Sequence, residues 1–119
     1  MTEKENPILK KSYTFALRIV KLYKHLCDEK REYVLSKEVL MNGTAIGAHV
    51  KAAQEADSRD AFIREMGAAL QRTTKTEYWL ELLRDGEFLE ASQFASIHAD
   101  WEEIKKMLVA ILKSSRGQY

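Results

Sequence analysis

From Ile8 to Cys27, apolar residues recur three and four positions apart. Ile8, Phe15, Ile19, Leu22 and Leu26 form one row, and Leu9, Tyr13, Ala16, Val20 and Tyr23 form a second beside it. That period predicts an amphipathic helix, and two adjoining rows make a stripe wider than one bundle seam requires. A second helix is predicted over Tyr33 to Ala56, with a seam of Leu35, Val39, Asn42, Ile46, His49, Ala53 and Ala56. Gly43 and Gly47 share one of its faces and would let a neighbouring helix approach closely. Asp57-Ser58-Arg59-Asp60 then supplies a cap and a first-turn acid for a third helix. That helix runs to about Arg84 and ends at Gly86, with a seam of Phe62, Met66, Ala69, Thr73, Thr76, Leu80 and Leu83. The fourth has the most regular repeat: Phe94, Ile97, Trp101, Ile104, Leu108 and Ile111.

The only proline is Pro7, and no stretch alternates with period two long enough to predict a strand. The expected fold is therefore all-α: an antiparallel, up-down-up-down four-helix bundle in one domain over residues 1–119. Residues 1–7 and 114–119 are expected to be flexible tails. The charged run from Asp28 to Glu32 is expected to be a solvated turn.

Composition narrows function mainly by exclusion. The chain has 119 residues, 45% hydrophobic and 31% charged, the balance of a folded domain rather than a disordered one. Nineteen Lys and Arg against eighteen Asp and Glu leave a formal charge of +1, too little to make the whole surface attract nucleic acid. A single cysteine, Cys27, excludes an internal disulfide and a cysteine zinc site. There is no apolar run of membrane-spanning length and no apolar leader near Met1, so a cytoplasmic protein without membrane association is expected.

Catalytic patterns are missing as well. No Glu-x-x-His accompanies His25, His49 or His98, so no metal centre or cofactor is predicted. His25 and His98 are read as surface residues, and Cys27 as a small buried hydrophobe. No phosphate-binding loop occurs, and Gly43-x-x-x-Gly47 lacks the strand and third glycine of a dinucleotide fingerprint. No enzyme, catalytic residue or small-molecule substrate is predicted.

Two features point outward instead. Tyr78-Trp79 with Leu80, Leu82 and Leu83 is apolar on more than one helical face, so it either buries against something beyond its own bundle, stays exposed as a patch, or belongs to a thick core; the first is favoured. Together with the doubled stripe on the first helix, it predicts self-association through Tyr13, Phe15, Tyr78, Trp79 and Trp101. Lys10, Lys11, Arg18, Lys21 and Lys24 are spread along the first helix, and Lys105, Lys106, Lys113 and Arg116 gather at the end of the fourth. The first group is a candidate nucleic-acid contact, which a symmetric ring would repeat around its axis.

Several segments resemble a known family. They are Lys11-Ser12-Tyr13-x-Phe15-Ala16-x-Arg18-Ile19-Val20-x-Leu22, Gly43-Thr44-Ala45-Ile46-Gly47-Ala48, Ala53-Gln54-x-Ala56-x-Ser58-x-x-x-Phe62-Ile63, Ala69-Leu70, and Thr76-Glu77-Tyr78-Trp79-Leu80-x-Leu82-Leu83. Over nearly the whole chain they resemble the bacterial 23S ribosomal RNA intervening-sequence proteins. The resemblance implies a small antiparallel four-helix bundle assembled into a ring-shaped homopentamer, with no established activity. It also implies a distant relation to the accessory variability determinant of diversity-generating retroelements, which binds nucleic acid and partners a reverse transcriptase. This chain departs from the family pattern at Ala45, His49 and Ala52, and again over Gln71-Arg72-Thr73 and Lys75-Thr76. Charged groups of both signs are lost together there, and Asn42, His49 and Thr73 are expected to form a neutral polar core layer in their place. The combined expectation is a non-enzymatic, homopentameric scaffold or adaptor. The alternative is a nucleic-acid-binding accessory protein acting with RNA or a reverse-transcriptase-like partner.

Overall fold

A computed structural model describes residues 6–117 and places four helices in them: α1 Pro7–Asp28, α2 Leu35–Gln54, α3 Arg59–Asp85 and α4 Ala91–Ser115. Each start has a local cause. Asn6 accepts the Leu9 N–H on its side chain, and Pro7 occupies the first turn, where its missing N–H costs nothing. The Ser58 hydroxyl accepts the Ala61 N–H at 3.0 Å, as a cap at that position should. Glu90 and Gln93 form a reciprocal capping box ahead of α4.

The termini differ from expectation. Pro7 belongs to α1, and α4 continues through Ser115, so the expected C-terminal tail is shorter at its inner end. The rest of the expected tails, residues 1–5 and 118–119, lies outside the described residues. Gly86 ends α3 without a left-handed backbone; its φ is −81°, and Glu87 takes the positive φ of 70°. Space is what requires glycine at Gly86, since an added Cβ would lie 2.8 Å from the Leu82 carbonyl oxygen.

Cross-helix contacts run in opposite sequence directions at every interface. Gly43 packs against Ile19 while Gly47 packs against Ser12; Arg72 bonds Asn42 while His49 meets Glu65. Glu77 meets His98 while Arg59 reaches the Ser115 carbonyl, and Lys11 pairs with Glu103 while Arg18 pairs with Asp100. Each helix therefore packs antiparallel to the helices beside it. α1 and α4 close the ring, and the backbones of the diagonal pairs stay apart. The resulting rod measures 44 × 25 × 23 Å.

One core runs along its axis. Phe15, Ile19 and Leu26 from α1 meet Val39, Ile46 and Val50 from α2, Met66, Leu80 and Leu83 from α3, and Ile104 and Leu108 from α4. Burying each such side chain contributes on the order of 1.5–3 kcal/mol, and this is what sets the register of the bundle.

Candidate self-association surface

The two apolar rows of α1 separate on folding. Ile8, Phe15, Ile19 and Leu26 enter the core, while Leu9, Ala16, Val20 and Tyr23 are half-buried and Tyr13 stays 63% exposed. Leu17, Met41, Tyr78 and Leu82 are exposed too, as are Tyr33 and Val34 in the connection before α2. Trp79 is half-buried, with its ring edge-on to Tyr78 at a centroid separation of 5.2 Å. Large apolar side chains thus reach solvent from α1, α2 and α3. Among the described residues α4 exposes none.

Two residues expected at an interface are core residues. Phe15 is 1% exposed and Trp101 is 3% exposed. A helical wheel cannot show which of two neighbouring apolar rows a bundle will bury, and here the row containing Phe15 won. Trp101 is fixed by its indole N–H, which donates to the Thr73 carbonyl at 2.7 Å. Tyr13, Tyr78 and Trp79 remain available on the surface.

Asn42, His49 and Thr73 do not form one layer. Asn42 donates to the Glu38 carbonyl and accepts from Arg72; Thr73 turns its hydroxyl back to the Ala69 carbonyl. His49 is half-buried and pairs with Glu65 at 2.9 Å. Asn42 and Thr73 stay buried, whereas His49, seven residues on from Asn42, reaches the partly exposed margin of the α2/α3 contact. Each polar group has its own partner.

His98 and His25 are not free surface residues. The His98 ring stacks between Phe94 and Trp101 at 5.0 and 4.7 Å, and its Nε2 lies 2.7 Å from Glu77. Arg84 sits over the Phe94 ring and Lys105 over the Trp101 ring, closing both ends of the stack. His25 is half-buried, with its Nε2 enclosed and unpartnered. The spacing of Phe94, His98 and Trp101 was a readable signal for this stack.

Gly43 and Gly47 lie on the side of α2 that packs against α1. An added Cβ at Gly43 would meet Ile19 Cγ1 at 2.8 Å, and one at Gly47 would meet the Ser12 carbonyl oxygen at 3.3 Å. Outside this contact, Leu9, Tyr13, Ala16, Thr44, Gly47, Ala48 and Lys51 line a mostly apolar groove of about 360 Å³.

The basic residues of α1 divide into two sets. Lys11 pairs with Glu103, and Arg18 binds Asp100 at 2.7 Å as well as the Ser96 carbonyl and hydroxyl. Lys10, Lys21 and Lys24 are exposed and make no ion pair among the described residues. Among those residues no group of three or more His, Cys, Asp or Glu gathers where a metal could be held, and no helix is long and apolar enough to cross a membrane.

A buried carboxylate was missed in the charged turn. Glu32 accepts the N–H groups of Val34, Leu35 and Ser36, the last at 2.7 Å, and so caps α2. Burial pushes its carboxyl upward, but the three N–H groups outweigh that and hold it below the usual carboxylate range. Arg31, with a φ of 53°, turns the chain so that Glu32 faces the helix.

A family model described as 23S rRNA-intervening sequence protein matches residues 4–110. A crystal structure of a protein of unknown function from the S23 ribosomal protein family, from Bacteroides thetaiotaomicron, is 46% identical, with a TM-score of 0.88. The likeness covers 89% of this chain and 98% of that one. No curated protein matches the chain.

Proposed function

Since the chain belongs to the 23S rRNA-intervening sequence protein family, we propose that it is a cytoplasmic, non-enzymatic scaffold or adaptor built from several copies of itself. The observation that carries this reading is the set of large apolar side chains left in water on three helices of a finished bundle: Tyr13, Leu17, Met41, Tyr78 and Leu82. Their own core is already complete, so only another molecule can cover them. Apolar area removed from water contributes roughly 25 cal/mol per Å², which favours association. Five copies is the number implied by the family resemblance. The solved relative is itself of unknown function, and neither it nor the family description brings an activity with it.

Native mass spectrometry at micromolar protein tests this directly. The expected species is a closed homo-oligomer, with five copies the specific expectation. A 13.7 kDa monomer throughout would overturn the reading.

A second reading, nucleic-acid binding, is favoured by one feature. From Pro7 to Cys27 the first helix carries no Asp or Glu, and its exposed Lys10, Lys21 and Lys24 make no ion pair among the described residues. Lys11 and Arg18 contribute less, because α4 carboxylates already pair with them. Binding of this kind would weaken steeply with salt, and its absence from RNA and DNA at low ionic strength would remove it.

A further inference from the structure

Between α1 and α4, beside the start of α4, lies a hollow of about 530 Å³, within the roughly 300–1,000 Å³ of small-ligand sites. Arg18, Lys21 and His25 of α1 and Ser92 and Ser96 of α4 supply its polar wall, and Leu22, Leu89 and Ile97 its apolar side. No carboxylate lines it. The hollows at Glu77, at Asp100 and at Glu38 each have one in the wall. Of the carboxylates that flank it on the α4 side, Asp100 is held by Arg18 and Glu90 by the capping box of α4.

The donors in that wall are only partly used. Arg18 Nη1 donates to the Asp100 carboxylate and to the Ser96 carbonyl, and Nη2 donates to the Ser96 hydroxyl. These bonds hold the guanidinium in place, yet its Nε–H and a second Nη2 hydrogen keep no partner among the described residues. That edge of a guanidinium is a fork that can bind two oxygens of one anion. The Lys21 ammonium makes no ion pair, and the Ser92 hydroxyl no hydrogen bond, among those residues. His25 Nε2 is the one enclosed side-chain nitrogen or oxygen left unsatisfied among them. Enclosed polar atoms in folded proteins have partners, so a nitrogen that the fold leaves bare in the residue lining a cavity points to an occupant.

We propose that this hollow is a binding site for a small phosphate monoester. A phosphate turns several acceptor oxygens to its host, so it can take the Arg18 fork and still reach the Lys21 ammonium and the Ser92 hydroxyl. A carboxylate has both oxygens occupied by the fork alone. Leu22, Leu89 and Ile97 receive the apolar part of the esterified group, and a turn of the His25 ring brings its bare nitrogen to the ligand. The site lies apart from Tyr13, Met41, Tyr78 and Leu82, so it goes beyond the self-association reading and does not depend on it.

Isothermal titration of the full chain at physiological ionic strength tests this, with phenyl phosphate as the probe and circular dichroism to check each variant's fold. The wild type is expected to show saturable binding, one ligand per chain. Arg18→Lys keeps a cation beside Asp100 but loses the fork, and Lys21→Gln changes an exposed helical position. Each is expected to weaken binding by about tenfold or more. Lys37→Gln removes the same charge from an exposed position on α2 and is expected to leave the affinity within about twofold. Inorganic phosphate and benzoate, each lacking one half of the probe, are expected to bind more weakly than phenyl phosphate, as is phenyl phosphate to His25→Phe. Absence of saturable binding by the folded wild type up to millimolar probe would overturn the site, as would a Lys37→Gln loss equal to that of Lys21→Gln. Inorganic phosphate or benzoate binding as tightly as phenyl phosphate would overturn the assignment to a monoester, and undiminished binding by His25→Phe would overturn the part given to His25.

Discussion

The indole N–H of Trp101 donates to the main-chain carbonyl of Thr73 at 2.7 Å, tying the middle of α4 to the middle of α3. Both residues are buried, and the Thr73 hydroxyl is committed to Ala69 within its own helix. The bond therefore works between elements and helps fix the axial register of the two helices.

Trp101→Phe keeps most of the apolar volume but removes the donor and leaves part of a buried carbonyl without its second partner. The expected loss is about 1–3 kcal/mol. Trp101→Ala adds a cavity and is expected to cost about 3–5 kcal/mol. Urea unfolding at neutral pH, read as a midpoint shift at constant m, measures both. A Phe variant as stable as wild type would mean that the bond contributes nothing net.

Glycine-to-alanine changes should split in sign according to what a Cβ would touch. At Gly43 it would lie 2.8 Å from Ile19 Cγ1, with two further Ile19 atoms close by, so overpacking is expected to cost about 1–3 kcal/mol. At Gly67 the nearest atom within 4 Å is the Arg116 guanidinium at 3.7 Å, the far end of a flexible side chain. Gly67→Ala should stabilise α3 by up to about 1 kcal/mol through helix propensity alone. Thermal melts of the two variants should move in opposite directions.

The helices and the buried seams were legible because their signal is periodic. Val39, Ile46, Met66, Leu80, Ile104 and Leu108 all occupy the rows that spacing assigns to a core. The close approach at Gly43 could be read from two glycines on one face. Other features depended on information that periodicity does not contain. Two adjacent apolar rows on α1 leave undecided which one turns inward, so spacing cannot tell an interface Phe15 from the core residue it is. A charged run reads as solvated unless the backbone reverses within it, and the positive φ of Arg31 is what directs Glu32 to the start of α2. Polar residues on one seam suggest a shared layer, yet Asn42, His49 and Thr73 each satisfied a separate partner.

His98 makes two kinds of contact, and these can be separated. Its ring lies between Phe94 and Trp101, and its Nε2 meets a partly exposed Glu77. A partly exposed polar pair contributes little, whereas an aromatic pair contributes about 0.5–1.5 kcal/mol beyond its buried area. His98→Phe is accordingly expected to stay within about 1 kcal/mol of wild type, with His98→Ala lower than it. A His98/Glu77 double-mutant cycle is expected to give a coupling below about 1 kcal/mol. A larger coupling would show that the pair, not the stack, holds α3 against α4.

Glu32 gives the fold a defined acid sensitivity. Its carboxylate accepts the Val34, Leu35 and Ser36 N–H groups, which lowers its pKa in the folded state relative to the ordinary 4.5. A folded-state pKa below the unfolded one means that its contribution is complete above the unfolded value. The contribution is then lost as pH falls through the folded value. Glu32→Gln keeps an acceptor but removes the charge, so at neutral pH it is expected to lower stability by about 1 kcal/mol. Below the ordinary carboxylate value the gap should shrink, because protonation brings wild-type Glu32 to the same neutral state. Urea midpoints of both proteins measured from neutral pH into the acid range should therefore converge. A gap that stays constant with pH would mean that the cap acts through shape and hydrogen-bond count, with no part played by the negative charge.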